Sequence, residues 1–153
     1  MSFTHPTGTR GARQPGGRAM IWANKLIARR ARRNTGKTIG MNLLVLTTIG
    51  RKSGQPRETP LGWFQGRDGS WLIVASAGGA PGNPAWYLNL AANPDQVTVE
   101  LAGQKTAVTA EELHGAEREE AWQKITSEVP QFARYQVTTD RELPVIRLTP
   151  RPS

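Results

Sequence analysis

The chain contains no cysteine, and its two histidines, His5 and His114, stand far apart in the sequence. The missing thiols exclude disulfide bonds, thiolate metal sites and a cysteine nucleophile, and they are typical of a protein from a reducing compartment. Neither histidine has a partner at metal-ligand spacing, so we expect no bound metal. A Ser/His/Asp triad would depend on His114 alone, which lies in a polar stretch. The sequence therefore does not favour a hydrolase with such a triad.

Long apolar runs are also missing, and none approaches the roughly 18 residues that a membrane-spanning helix needs. The arginine pairs at 29–30 and 32–33 precede neither a long apolar segment nor a cleavage motif of small residues. The sequence therefore predicts no export signal, and we expect a cytoplasmic protein. Its 153 residues suffice for one domain with a core of its own.

Acidic residues are absent from the first third of the chain. No Asp or Glu precedes Glu58, whereas 12 of the 20 Lys and Arg residues do. From Glu58 onward the 12 acidic residues outnumber 8 basic ones, so the net charge of +8 arises in the N-terminal third. This distribution predicts an anionic partner, which is nucleic acid, an anionic membrane surface or a polyanionic small molecule.

The N-terminal third divides into two predicted segments. Residues 1–18 are rich in Gly, Pro, Thr and Arg, and we expect a disordered basic tail. Residues 19–38 are predicted to form a basic amphipathic helix and a linker, because apolar residues recur there at helical spacing. Such a helix packs on its own domain or lies on an anionic membrane. Peripheral contact of residues 19–33 with the inner face of the cell membrane is therefore one of two alternatives.

Residues 39–153 are predicted to form the folded body. Apolar and β-branched runs at 42–49, 57–64, 71–76, 96–101, 105–110 and 144–148 predict strands, and 84–92 and 117–129 predict short helices. The strands follow one another in hairpin order rather than alternating with helices. The pattern therefore favours a mainly β (α+β) fold, with a barrel of mostly antiparallel strands and short flanking helices.

The segment from Gly50 to Pro60 is a candidate anion site. Arg51, Lys52 and Arg57, with the Ser53 hydroxyl, surround one tight turn between two predicted strands. Guanidinium and ammonium groups beside a hydroxyl and glycine amides suit a phosphate or clustered carboxylates. A basic hairpin tip that only faces water would have the same composition.

A second candidate region begins at Ser76. The run from Ser76 to Gly82 has almost no side chains, so a flat ligand can approach its backbone closely. It leads into a helix that carries Trp86, which either walls a pocket for an aromatic ring or packs in the core. Tyr135 lies in a broken helical stretch further on, where its phenol donates a proton to a substrate or anchors a lid.

Five segments of the chain, in order over residues 43–148, together resemble the deazaflavin-dependent nitroreductase family. They are Thr47–Arg57, Ser76–Gly79, Asn83–Asn89, Ala92–Pro94, and Thr139–Arg141 with Pro144–Ile146. The resemblance implies a split β-barrel that binds coenzyme F420, an 8-hydroxy-5-deazaflavin with a phospholactyl and oligoglutamate tail. Such a cofactor is an obligate hydride carrier, and the protein supplies alignment and a proton source.

The resemblance also assigns roles to residues of both candidate regions. It implies that Arg51, Lys52 and Arg57 hold the anionic tail, and that the ring lies against the Ser76–Gly79 loop and Trp86. The implied cofactor-binding residues are Arg51, Lys52, Ser53, Arg57, Thr59, Pro60, Ser76, Ala77, Gly78, Gly79, Pro84, Trp86 and Asn89. The implied catalytic residues are Tyr135 and Ser76.

The function implied is hydride transfer from reduced F420 to electron-poor small molecules, namely quinones, enones or unsaturated lactones, and nitroaromatics. Two departures from the nitroimidazole-reducing branch of the family argue against nitroimidazole reduction: Ala77 replaces a lysine, and the stretch 129–135 holds one tyrosine where that branch has several. The alternatives are a non-catalytic F420-binding or storage module, an FMN-dependent reductase of the same fold, and a protein that binds nucleic acid or membranes. An F420-binding barrel predicts affinity that survives deletion of residues 1–18.

Overall fold

The computed structural model describes residues 3–12, 37–38 and 41–151. The strands are β1 (Lys37–Thr38), β2 (Met41–Ile49), β3 (Pro56–Gly62), β4 (Phe64–Gln65), β5 (Trp71–Val74), β6 (Val97–Leu101), β7 (Gln104–Glu112) and β8 (Val145–Pro150). The helices are α1 (Ala85–Ala92), α2 (Gly115–Glu128) and α3 (Gln131–Thr138). Two single 3-10 turns lie at Arg67–Gly69 and Ala77–Gly79.

The strands form a barrel in which every ladder between them is antiparallel. Neighbouring strands follow the order β3-β2-β6-β7-β8-β5-β4, and β1 pairs with the start of β2. Only Trp63 separates β3 from β4, so one continuous stretch of chain forms both ends of this order and curls the sheet round on itself. The predicted antiparallel β-barrel with short flanking helices is confirmed.

Apolar residues fill two regions of the molecule. The barrel interior is packed by side chains such as Leu44, Leu46 and Ile146, together with Tyr87 from α1. A second cluster lies where α2 and α3 pack on β5 and β8, and its centre is the fully buried Ile125. Burying a side chain of this size stabilises the fold by about 1.5–3 kcal/mol. These two regions fix α1 and α3 on the barrel.

Residues 3–12 form a strap that packs on the barrel. Phe3 is buried, and its ring meets the Tyr87 ring edge-on at 5.6 Å between centroids. Thr4 Oγ1 donates a 2.7 Å hydrogen bond to Glu112 Oε2, and the Tyr87 hydroxyl donates to Glu112 Oε1. The Glu112 carboxylate therefore joins the strap to α1 at the barrel wall.

The strap then runs past the loop that precedes α1. The Gly8 N–H donates to the Pro81 carbonyl at 2.8 Å, and the Ala12 N–H donates to the Gly79 carbonyl at 3.0 Å. The expectation of a disordered tail over residues 1–18 therefore does not hold for residues 3–12. A single buried aromatic ring and a series of satisfied backbone groups outweigh the Gly- and Pro-rich composition.

Other expectations about the first forty residues meet the structure only in part. Lys37 and Thr38 form β1, a two-residue strand, instead of a linker. The amphipathic helix predicted from residue 19 to about 33 lies outside the described residues, and so does the membrane contact assigned to it. Further along, the broken helical stretch around Tyr135 is a regular helix, α3.

Candidate active site

The turn between β2 and β3 presents its cations to solvent. Arg51, Lys52 and Arg57 are exposed, and none of them forms an ion pair with the described residues. Among the described residues, the trio makes one side-chain hydrogen bond, and it is a long one, 3.5 Å from Arg57 Nη2 to Ser53 Oγ. Three like charges on one turn repel one another, so a bound anion would stabilise this arrangement.

Asn89 connects this basic turn to helix α1. Its side chain is 6% exposed, and its Oδ1 accepts a hydrogen bond of 3.1 Å from the Arg51 backbone N–H. Its Nδ2 donates at 3.3 Å to Thr48 Oγ1 at the end of β2. Both ends of the Asn89 amide therefore contact the protein and position the turn, and the direct contact with the cofactor that the resemblance implied stays a prediction.

The Ser76–Gly79 loop is a tight, strained turn. The Gly79 N–H donates to the Ser76 carbonyl at 2.9 Å, which closes it. Ala77 has a φ of +47°, a left-handed conformation that costs an L-residue roughly 1–2 kcal/mol. Gly78 has a φ of +64°, and a Cβ built there would meet no atom within 4 Å. The loop therefore offers bare backbone to open space, as a site for a flat ring requires.

Helix α3 packs against this loop at Gly79. A Cβ at Gly79 would lie 3.0 Å from the Tyr135 carbonyl oxygen and 3.2 Å from Thr138 Cβ, so only glycine allows this approach. The Tyr135 ring is half-buried and meets Phe132 edge-on at 5.9 Å. Its hydroxyl makes no hydrogen bond to residues that the structure describes. Tyr135 thus stands on the element next to the loop, and its phenol has no partner in the described part of the chain.

Arg141 lies behind the loop, and its guanidinium is 1% exposed. Nε donates to the Ala80 carbonyl at 3.0 Å, Nη1 to the Ala75 carbonyl at 3.0 Å, and Nη2 to the Ser76 carbonyl at 2.8 Å. Burial lowers the pKa of Arg141. From the sequence, Arg141 was recognised only as part of the Thr139–Arg141 motif. Its burial was not predicted, because arginines are mostly exposed and no local signal distinguishes a buried one.

The remaining predicted residues differ in their degree of burial. Trp86 is 8% exposed and packs in the barrel interior, which leaves little of its surface for a ligand. Pro84 is half-buried and immediately precedes α1. Thr59 and Pro60 are half-buried on β3, opposite Leu46 and Val45 of β2.

Helix α1 is the element that links the predicted groups. It begins soon after the loop, and its Asn89 reaches the basic turn. No hydrogen bond or ion pair joins the turn directly to the loop within the described part of the chain. F420 carries its negative charges on a long tail and its flat ring at the opposite end. The basic turn is suited to the anionic tail and the exposed backbone of the loop is suited to the ring, and α1 links the two.

A pocket of about 210 Å³ lies away from these residues. It is lined by side chains of β4, β5, β8 and α2, among them Leu72, Ala121 and Arg147, and it contains none of the predicted site residues. Within the described ranges, no cluster of three acidic or histidine side chains is arranged to hold a metal ion. No helix among those residues has the length and apolar character to span a bilayer.

Comparison with known proteins agrees with this geometry. The sequence model of the F420H(2)-dependent quinone reductase family matches residues 22–150. An F420H(2)-dependent quinone reductase of Mycobacterium tuberculosis (strain H37Rv) is 41% identical over 111 residues, which are 71% of this chain and 73% of the relative. The family-model match extends from residue 22 to the end of β8, so it covers the barrel, the basic turn and the loop.

Two solved structures are similar in fold and in sequence. An F420-H2 dependent reductase aligns with a TM-score of 0.63 at 40% identity, over 69% of this chain and 92% of its own. A protein described as a domain-swapped dimer aligns with a TM-score of 0.65 at 34% identity, over 86% and 99%. The chain belongs to the F420H(2)-dependent quinone reductase family, a family of split-barrel oxidoreductases whose reductant is coenzyme F420.

Proposed function

We propose that this protein reduces quinones with F420 as its hydride-carrying cofactor. The observation that carries the proposal is the basic turn, where Arg51, Lys52 and Arg57 are exposed and free of ion pairs with the described residues. When bound, reduced F420 supplies a hydride from C5 of its ring. The protein itself binds the tail, orients the ring and delivers a proton.

The anionic tail is held by charge-assisted hydrogen bonds from the basic turn. Arg51 has its backbone fixed by Asn89, so its side chain starts from a defined position. Lys52 and Arg57 add two further charges on the same turn, and Ser53 adds a hydroxyl. The ring would lie against the bare backbone of Ala77 and Gly78, beside Pro84. Thr59, Pro60 and the small exposed part of Trp86 are the further groups proposed to border it.

The proton comes from a residue on α3. Hydride addition to a quinone leaves a negative charge on oxygen, and a phenol within hydrogen-bond reach would neutralise it. Tyr135 has a hydroxyl with no partner in the described structure, and α3 contacts the loop through Gly79. Ser76 on the loop is the second polar side chain proposed to face the reacting atoms.

Quinones are the proposed principal acceptors because their oxygen atoms take up the developing charge directly. Enones and unsaturated lactones share this chemistry and are proposed as secondary acceptors. Nitroaromatics are proposed as the weakest class, since Ala77 places no cation beside the loop. We also propose that residues 19–33 are the part of the chain to examine for membrane contact.

The direct test is fluorescence titration of the full chain with F420 and separately with FMN. We expect tight F420 binding that weakens about 10- to 100-fold when Lys52 and Arg57 are both changed to Ala. The matched control changes Lys105 and Arg151 to Ala. Lys105 lies just after the β6–β7 hairpin. β6 runs antiparallel to β2, with Thr47 opposite Thr98 and Val45 opposite Glu100, so this hairpin lies at the start of β2, whereas the basic turn follows its end.

Turnover is measured as oxidation of reduced F420 with menadione as the quinone. Binding without turnover would favour the non-catalytic module, and preference for FMN would contradict the proposed cofactor. Equal loss of F420 affinity in both double variants would show that the basic turn contributes only general charge.

A further inference from the structure

We propose that Arg141 is a positioning residue for the F420 ring, acting through the Ser76–Ala80 segment. This inference rests on the proposed function, since it assigns the ring to that segment. Arg141 bonds the carbonyls of Ala75 and Ser76 at the start of the segment and of Ala80 at its end. One rigid, planar group therefore clamps both ends of the turn that faces the ligand.

The electrostatic surroundings of Arg141 are unusual for a structural arginine. Its fourth hydrogen bond, from Nη1, goes to Asn83 Oδ1 at 2.6 Å, and it forms no ion pair with any described carboxylate. The neighbouring Asp140 points to the strap, where it accepts a 2.6 Å hydrogen bond from Thr9 Oγ1. A buried cation balanced only by carbonyl and amide dipoles is costly to fold. A role in holding the ligand site would account for this cost.

The clamp determines which backbone groups remain for a ligand. Because the carbonyls of Ala75, Ser76 and Ala80 bond Arg141, they are turned to the protein side of the segment. The N–H groups of Ala77 and Gly78 make no hydrogen bond to the described chain. They are the donors available to the ring's carbonyl oxygens, and the buried positive charge behind them strengthens such bonds. The left-handed backbone of Ala77 also needs an external constraint of this kind.

The experiment compares Arg141→Lys and Arg141→Met with the same changes at Arg118. Arg118 is the control because its side chain is also only 11% exposed and bonds a backbone carbonyl, that of Leu143, at 2.8 Å. It pairs with Glu142 at 3.4 Å, so it holds the residues that follow Arg141 and not residues 75–80. It lies on α2, where it stacks on Trp122 at 5.0 Å instead of contacting the loop. Lysine keeps the charge but cannot bridge three carbonyls, so Arg141→Lys tests the clamp even where Arg141→Met fails to fold.

The first readout needs no cofactor, and it is amide hydrogen exchange of residues 75–84 by mass spectrometry. We expect Arg141→Lys to speed exchange in this segment at least about tenfold, while Arg118→Lys leaves it unchanged. The second readout is F420 titration, where we expect about 10- to 100-fold weaker binding for Arg141→Lys and less than threefold for Arg118→Lys.

The two readouts separate failure of this inference from failure of the proposed function. Unchanged exchange of residues 75–84 in Arg141→Lys would overturn the clamp whatever the protein binds. Faster exchange with undiminished F420 affinity would overturn the positioning role. If the unaltered protein does not bind F420, the proposed function fails, and the exchange result still decides whether Arg141 holds the loop.

Discussion

The side-chain carbonyl of Asn89 accepts a hydrogen bond from the backbone N–H of Arg51 at 3.1 Å. This bond ties a buried helix residue to the first residue of an exposed turn. The rest of the turn faces solvent, so the position of its cations depends on this bond and on the ends of β2 and β3. Helix α1 thereby connects the loop region with the cationic region.

Removal of this bond should weaken cofactor binding. Asn89→Leu keeps the branched shape of the side chain but loses both the acceptor and the donor. We expect about 5- to 20-fold weaker F420 binding, with about 1–3 kcal/mol less free energy of unfolding. Thr48→Val is the control, because it removes only the bond from Asn89 Nδ2. Equal losses of F420 affinity in the two variants would mean that the Arg51 bond has no special role.

Backbone access at Gly78 provides a second prediction. Gly78→Ala puts a methyl group into the open space over the loop, and we expect at least tenfold weaker F420 binding although the barrel still folds. Gly103→Ala carries the same backbone strain at the β6–β7 hairpin, since Gly103 has a φ of +80° and equally open surroundings. Both variants should lose about 1 kcal/mol of stability. Normal F420 affinity in Gly78→Ala would place the ring elsewhere. Gly78→Val adds β-branching in a left-handed conformation and is the harsher form of this test.

Tyr135 is the proposed proton donor, and its phenol is the group to remove. Tyr135→Phe keeps the ring packed on Phe132, so α3 should remain in place. We expect kcat for menadione to fall about 100- to 10,000-fold, the usual contribution of a general acid, with F420 affinity nearly unchanged. A kcat close to that of the unaltered protein with several acceptors would show that solvent supplies the proton.

Docking of the strap should depend on pH through Asp140. Hydrogen bonds from the Thr9 hydroxyl and backbone lower the pKa of Asp140 to about 2, against 3.8 in its unfolded form. Because the folded pKa is the lower one, this stabilisation is complete above pH 3.8 and is lost as the pH falls towards 2. Relative to the intrinsic rate at each pH, hydrogen exchange of residues 3–12 should therefore quicken between pH 4 and 2.

Asp140→Asn should make that exchange fast at every pH, whereas Asp95→Asn, at another exposed position, should leave it unchanged. Exchange that stays slow in Asp140→Asn would show that other contacts hold the strap. Survival of F420 binding after deletion of residues 1–18 is still a prediction. The bond from the Ala12 N–H to Gly79 gives a reason to expect weaker binding in that variant.

Strands and hairpins followed from the sequence because their signals are local. Alternation and turn residues predicted a strand over 42–49 and a hairpin to 57–64, and the structure has β2 at Met41–Ile49 and β3 at Pro56–Gly62. The basic turn was found because its residues are adjacent in the chain. Long-range contacts were not predictable in this way.

The strap and Arg141 show where such local reasoning ends. Residues 3–12 have one strongly apolar side chain, Phe3, and its burial depends on a place beside Tyr87 that only the folded barrel creates. Arg141 is separated by about 60 residues from the carbonyls that it bonds. A motif match located this arginine but gave no information about its partners.

The position of β8 has a consequence for how the molecule forms. β8 lies between β5 and β7, and Ile146 pairs with Ile73 on one side and Glu112 on the other. These two neighbours cannot be joined until residues 145–150 have been synthesised, because no other described strand occupies that place. Barrel closure therefore waits for residues 145–150, and it pairs β8 with residues of β5 more than 70 positions earlier in the chain, which is a slow step. Until then β5 and β7 each have an unpaired edge, through which incompletely folded chains can associate. Pairing with β8 covers both edges and so protects the chain from aggregation.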